Sequence, residues 1–155
     1  ASYQKMEIGS RGALDSIKSN SFDYIFMSDV LLFYFVPISS EQPDIKILLK
    51  DIFRILKPNG TFISLEPHYI FWLAPWLGDI DRPYTVITEY RSRTFYVTPS
   101  ISEFIQTIIN NNFYLSWMDE IYPETSARGS NQRAYKFASE FPLWQLFEFK
   151  KISSI

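Results

Sequence analysis

The chain has no cysteine, 5 glycines and a single histidine among 155 residues. Without Cys there is no disulfide framework, no thiolate metal site and no thiol nucleophile. That absence fits a reducing compartment, and a cytoplasmic location is expected. No carboxylate or histidine cluster has metal-ligand spacing, so no metal is expected. Neither sign of charge is in excess: 15 Lys and Arg stand against 17 Asp and Glu, a formal net charge of -2. With no basic excess to neutralise a phosphate backbone, nucleic acid is disfavoured as a major partner. The longest apolar runs, residues 30–38 and 69–77, fall far short of the about 18 residues that suggest a membrane span. No charged-then-apolar signal pattern follows Ala1.

What the chain does have is aromatic side chains, 18% of its residues. A chain of this mass buries roughly 70% of its unfolded surface if it folds alone, so length does not forbid one core. Residues 44–57 read as a helix, because Ile45, Leu48, Leu49, Ile52 and Leu56 form one apolar stripe. Pro43 suits its first turn, Lys57 its negative end, and Pro58-Asn59-Gly60 its stop. Residues 22–28 and 61–66 are short, apolar and rich in strand formers, the pattern of strands covered on both faces. Strand, helix, strand makes a βαβ unit. A second helix, residues 101–111, opens on a Ser100 and Glu103 capping box. Its expected buried face is Ile101, Phe104, Ile105, Ile108 and Ile109, and Asn110-Asn111-Asn112 ends it. Residues 114–122 and 143–150 read as two further strands, with a polar loop over 124–132. The stretch 67–99 is aromatic without a clean period, and Pro67, Pro75 and Pro83 interrupt it. Such an insert is either a lid or a satellite core.

The order Ser21-Phe22-Asp23 opening a strand, a helix ending Arg54-Ile55-Leu56-Lys57-Pro58-Asn59-Gly60, and a strand Phe62 to Glu66 followed by Pro67 resembles the second half of the class I S-adenosylmethionine-dependent methyltransferases. Asn59 stands where the family pattern has its first Gly, and Asn also accepts a positive φ. The helix over 101–111, Phe113 and two strands ending near Lys150-Lys151 resemble the family's final helix and antiparallel pair. The resemblance implies an α/β, Rossmann-like sheet of parallel strands plus a terminal antiparallel strand. It spans nearly the whole chain, read as residues 1–155 of a single partial methyltransferase domain with the insert at about 67–99. The family's acidic, glycine-rich cofactor loop has no counterpart among Gly9, Gly12, Gly60, Gly78 and Gly129. The chain therefore reads as the C-terminal portion of such a domain. Its partner is then the missing N-terminal half or a pairing chain, and the unpaired edge of the first strand must be covered.

By that resemblance the cofactor is S-adenosylmethionine and the other partner a small-molecule methyl acceptor. Methyl transfer from a sulfonium needs mainly positioning and exclusion of water, and a base only where the acceptor must lose a proton. Ser10, Arg11 and Gly12 occupy the family's adenine-binding loop, although no Asp stands there; a plain turn is the other reading. Ser28, Asp29, Val30 and Leu31 follow the first strand at its carboxyl end, where open α/β sheets place ligands. Asp29 either borders that site or caps the next turn. His68 follows the next strand at the same edge and is the candidate base and acceptor contact, with Glu66 orienting it or capping the strand end; a surface or hydrogen-bonded structural histidine is the other reading. Trp72, Trp76, Tyr84 and Tyr90 are the candidate acceptor-pocket residues, against a satellite-core role for most of them. Two rival readings stand beside methyl transfer. One is a non-catalytic, truncated methyltransferase-like interaction module. The other is half of another open α/β domain such as a glycosyltransferase, which a final antiparallel strand inserted beside the parallel pair counts against.

Overall fold

The computed structural model describes residues 3, 5–35, 43–68, 88–90, 93–95, 99–129 and 131–152, with backbone alone at 88–90 and 93–95. In chain order the elements are β1 (Phe22–Ser28), a 3-10 turn (Leu31–Phe35), α1 (Ile45–Ile55), β2 (Leu56–Pro67), β3 (Thr88–Tyr90), β4 (Arg93–Phe95), α2 (Ile101–Ile109), β5 (Phe113–Ile121), a second 3-10 turn (Thr125–Gly129), α3 (Gln132–Glu140) and β6 (Trp144–Lys151).

The main sheet runs β1-β2-β6-β5, and β3 and β4 form a separate two-stranded ribbon. β1 and β2 are parallel and α1 is their crossover, as the sequence pattern predicts. β6, last in the chain, lies antiparallel between β2 and β5. That insertion is the arrangement that argues against the glycosyltransferase-type alternative.

Local chemistry explains where α1 stops. Asp44 is its N-cap, its carboxylate accepting from the Lys46 N–H at 2.6 Å. Pro43 therefore precedes the cap and does not open the first turn. The helix ends at Ile55, earlier than expected, because Lys57 precedes a proline and is pushed toward extended backbone. Asn59 does take a positive φ, 62°. A Cβ on Gly60 would lie 2.9 Å from the Lys57 carbonyl oxygen, so this turn has no room for a side chain there. Two residues of the resemblance meet across it: Lys57 Nζ donates to both Asp23 carboxylate oxygens at 2.8 and 2.9 Å. This exposed pair sets register more than stability. Arg54 donates to the Leu14 and Ile17 carbonyls at 2.7 and 2.6 Å, tying the segment before β1 to the helix.

In α2, Ser100 Oγ accepts from the Glu103 N–H at 3.1 Å, as the capping pattern requires. Phe104 and Ile108 are buried, but Ile101 and Ile109 are exposed, so the buried stripe is narrower than expected. The helix ends at Ile109, and the left-handed residue is Asn112, φ 68°. The stretch expected as a polar loop holds the Thr125–Gly129 turn. α3 follows it, a helix the sequence reading leaves out. Its signal was present: Asn131 Oδ1 accepts from the Ala134 N–H at 3.0 Å, and Ala134, Phe137, Ala138 and Phe141 fall at helical spacing.

Strand alternation and register divide the sheet into two unlike faces. One carries Ile25 and Met27 of β1, Phe62, Ser64 and Glu66 of β2, Gln145, Phe147 and Phe149 of β6, and Phe113 of β5. Leu48, Leu49 and Ile52 of α1 and Phe104 and Ile108 of α2 close over it in one core. Phe104 and Phe147 lie 5.0 Å apart between ring centres. The other face carries Tyr24, Phe26, Ile63, Leu65, Leu146 and Trp117. There Tyr24 is 70% and Phe26 60% exposed. The expectation of cover on both faces of residues 22–28 is thus wrong for the described residues. Period alone cannot show whether a face has a partner.

Candidate functional site

The carboxyl ends of β1 and β2 lie side by side, Ser28 opposite Leu65. After Ser28 the chain turns through Asp29, whose φ of 56° is left-handed, a conformation that Asp tolerates better than most residues. The Asp29 N–H donates to the Leu65 carbonyl at 2.8 Å. Two residues on, the Leu31 N–H donates to Glu66 Oε1 at 3.2 Å. The Ser64 hydroxyl donates to the same oxygen at 2.6 Å. The neighbouring strand therefore supplies the cap that Asp29 was one candidate to provide. Glu66 is wholly buried, and among the described residues its Oε2 has no hydrogen-bond partner. Burial pushes its carboxyl above the ordinary range, and nearby Asp29 adds to this; the Ser64 hydroxyl and the Leu31 and Leu32 amides act the other way. Burial also raises Asp29.

The 3-10 turn reaches the second predicted segment through Tyr34. Its hydroxyl donates to the Ile8 carbonyl at 2.9 Å. Gly9 is pressed beneath it: φ is +87°, and a Cβ would stand 2.6 Å from Tyr34 Cε1. The Asp44 N–H donates to the Gly9 carbonyl at 2.9 Å, so the start of α1 holds the same turn. Gly12 is also left-handed, φ +79°. Ser10, Arg11 and Gly12 are thereby tied to the turn after β1 that contains Ser28, Asp29, Val30 and Leu31. Arg11, Gly12, Ser28 and Asp29 are exposed, Ser10 and Val30 half-buried, and the Leu31 side chain lies in the core.

His68 sits further along the same edge, toward β6 and β5. Its N–H donates to the Leu143 carbonyl at 2.8 Å. Its Nε2 lies 3.5 Å from Glu120 Oε1, and Tyr122 donates to Glu120 Oε2 at 3.1 Å. Glu66, Gln145 and Glu120 share one register row across three strands. Sequence reasoning does not single out Ser64, Tyr34 or Glu120. Only Ser64 carries a signal, since it lies two positions before a Glu in an apolar strand and so shares its face. Trp72, Trp76 and Tyr84 lie outside the described residues, and Tyr90 is described only as backbone in β3. Among the described residues no group of three or more His, Cys, Asp or Glu is placed to hold a metal ion, and no helix is long and apolar enough to cross a membrane.

Residues 4–64 match the family model of a methyltransferase domain. A solved Mesorhizobium loti S-adenosylmethionine-dependent methyltransferase superposes with a TM-score of 0.56 at 16% identity, over 87% of this chain and 64% of that one. This is the class I methyltransferase fold. An S-adenosylmethionine-dependent methyltransferase of Methanosarcina mazei gives 0.53 at 17% identity, over 90% of this chain and 63% of that one. A Listeria monocytogenes protein assigned to the same class gives 0.57 at 17% identity, over 88% and 64%. The chain thus spans just under two thirds of the length of these structures. No curated protein matches it. In this methyltransferase fold the described strands are a parallel pair followed by an antiparallel pair whose last strand lies inside, and the two turns above stand at the carboxyl ends of the parallel pair.

Proposed function

We propose that the chain is the acceptor-side part of an S-adenosylmethionine-dependent methyltransferase that acts on a small, partly apolar molecule. The observation that carries the reading is the meeting of two turns, residues 8–12 and 28–35, at the carboxyl ends of β1 and β2. The residues present fit one side of such a cofactor: Ser10, Arg11, Gly12, Ser28, Asp29 and Val30 border it with exposed backbone and polar groups, and Leu31 supports the turn from below. No acidic, glycine-rich loop lies in the sequence to hold the other side. When bound, the cofactor supplies an activated methyl group. This chain's own work is to orient the acceptor and shut out water. His68, oriented by Glu120, accepts a proton from an acceptor hydroxyl or amine. Trp72, Trp76, Tyr84 and Tyr90 are proposed to enclose the acceptor.

One structural feature favours pairing with a complementary polypeptide part. β1 lies at the end of the sheet, and beside it Ile8, Leu14, Phe22, Ile25 and Leu48 line an open apolar groove of about 290 Å³. A parallel strand normally has partners on its edge and cover on both faces. The second reading, a non-catalytic pairing module, rests on the same groove and differs in predicting no cofactor binding.

Calorimetry of S-adenosylmethionine on the full gene product separates the two. Saturable binding is expected, and no heat at millimolar cofactor would defeat the enzymatic reading. Residues 1–155 alone are expected to show no methyl transfer.

A further inference from the structure

The geometry points to Glu66 as the residue that positions the turn after β1: its carboxyl caps the 3-10 turn and so fixes the seat of Tyr34 against the Ile8–Gly12 turn. The two turns come from separate segments and meet through Tyr34, with the start of α1 holding the same place. Two of the bonds that hold the 3-10 turn to β2 differ in what they require. One is the Asp29 amide on the Leu65 carbonyl, which any residue at 65 supplies. The other is the Leu31 amide on Glu66 Oε1, which needs this side chain.

A wholly buried carboxyl is a costly way to satisfy the amides of a turn. An apolar residue would fill the space, and Ser64 would then have no reason to sit beside it. Instead Ser64 is itself fully buried, and its hydroxyl donates to the same oxygen. The result is a fixed acceptor aimed at the backbone N–H groups that open the 3-10 turn, with Oε2 unpartnered among the described residues. Among the described residues, the charged and titratable groups on the elements around it are Asp29 beyond β1, Tyr34 on the 3-10 turn and, across Gln145, the Glu120 and His68 pair. Asp29 raises the carboxyl further, as burial does. A neutral acid still accepts from Leu31 and Ser64, and glutamine reproduces its shape and its acceptor oxygen.

The inference concerns the turn and not the cofactor, so it stands or falls apart from the methyl-transfer reading. Its test is amide hydrogen exchange and NMR on the 155-residue chain. In E66L the Leu31 amide is expected to exchange on the order of 10- to 100-fold faster, the loss of one buried bond. Protection at Ile8–Gly12 should fall with it, while β2 and β6 amides outside the turn keep theirs. In E66Q protection at Leu31 should stay within about threefold of wild type. If E66L does not fold, the wild-type chain decides: the Leu31 amide shift should titrate with Glu66, above the ordinary carboxylate range. Unchanged protection at Leu31 in a folded E66L, equal loss in E66Q and E66L, or a Leu31 shift blind to Glu66 ionisation would each overturn the inference.

Discussion

The two faces of the sheet are built from the same strands and have opposite fates. On one, Phe62, Phe147 and Phe149 are wholly buried beneath α1 and α2. On the other, Tyr24, Phe26 and Trp117 stand exposed, at 70%, 60% and 49%. Burial in a two-layer unit stabilises one face only, and a parallel pair such as β1 and β2 ordinarily has helices on both. The difference teaches where this chain's own folding energy resides and which face it leaves open.

Five substitutions and one titration test that contrast. Phe62→Ala, at the centre of the packed face, should cost about 3–5 kcal/mol in denaturant unfolding, enough to threaten the fold. A cost near zero would mean that the packed face is not the core. Gly9→Ala should cost about 1–2 kcal/mol or more, because the backbone is left-handed and the methyl meets the Tyr34 ring. It should also loosen this turn, read as faster exchange at the Asp44 amide, which donates to the residue-9 carbonyl. Ser100→Ala removes the cap of α2, the helix that covers the packed face, and should cost about 1 kcal/mol.

The titration concerns Glu66. A carboxyl whose folded value lies above its ordinary 4.5 stabilises the fold most at low pH, and the contribution is lost as pH rises through the raised value. Denaturant midpoints of the wild type should therefore fall as pH rises above 4.5, and Glu66→Gln should flatten that fall. Asp29, shifted in the same direction, leaves a residual slope. The smallest effect is expected on the bare face: Tyr24→Ser and Phe26→Ser should each change stability by no more than about 0.5 kcal/mol in the chain alone. A loss of several kcal/mol there would show that the face is already covered.

Much of the fold was legible because its signals are local. Asp44 and Ser100 mark helix starts, Asn59 and Gly60 mark a turn, and the apolar runs at 22–28 and 61–66 mark the parallel pair. The antiparallel placement of β6 came from the resemblance, since no local pattern states which strands become neighbours. α3 went unread because its apolar stripe is thin, with Ala134 and Ala138 in place of larger residues. The candidate site was legible as segments and not as contacts. The turn at 8–12 came from the resemblance, and the turn at 28–31 from its place at the carboxyl end of β1. Tyr34 meeting Ile8, Glu66 capping Leu31, and Glu120 reaching His68 depend on which side chains the fold brings together, and no spacing encodes that. The bare face was misread for the same reason: Phe22, Tyr24 and Phe26 look like core residues until their neighbours are known.

The most direct test of the central claim, that the turns at 8–12 and 28–35 form the cofactor edge, is a hydrogen-exchange footprint of S-adenosylhomocysteine on the full gene product. At saturation the account predicts slowed exchange in both turns and unchanged exchange in α1 and α2. A footprint confined to other segments, or saturable binding that leaves both turns unaltered, would contradict it.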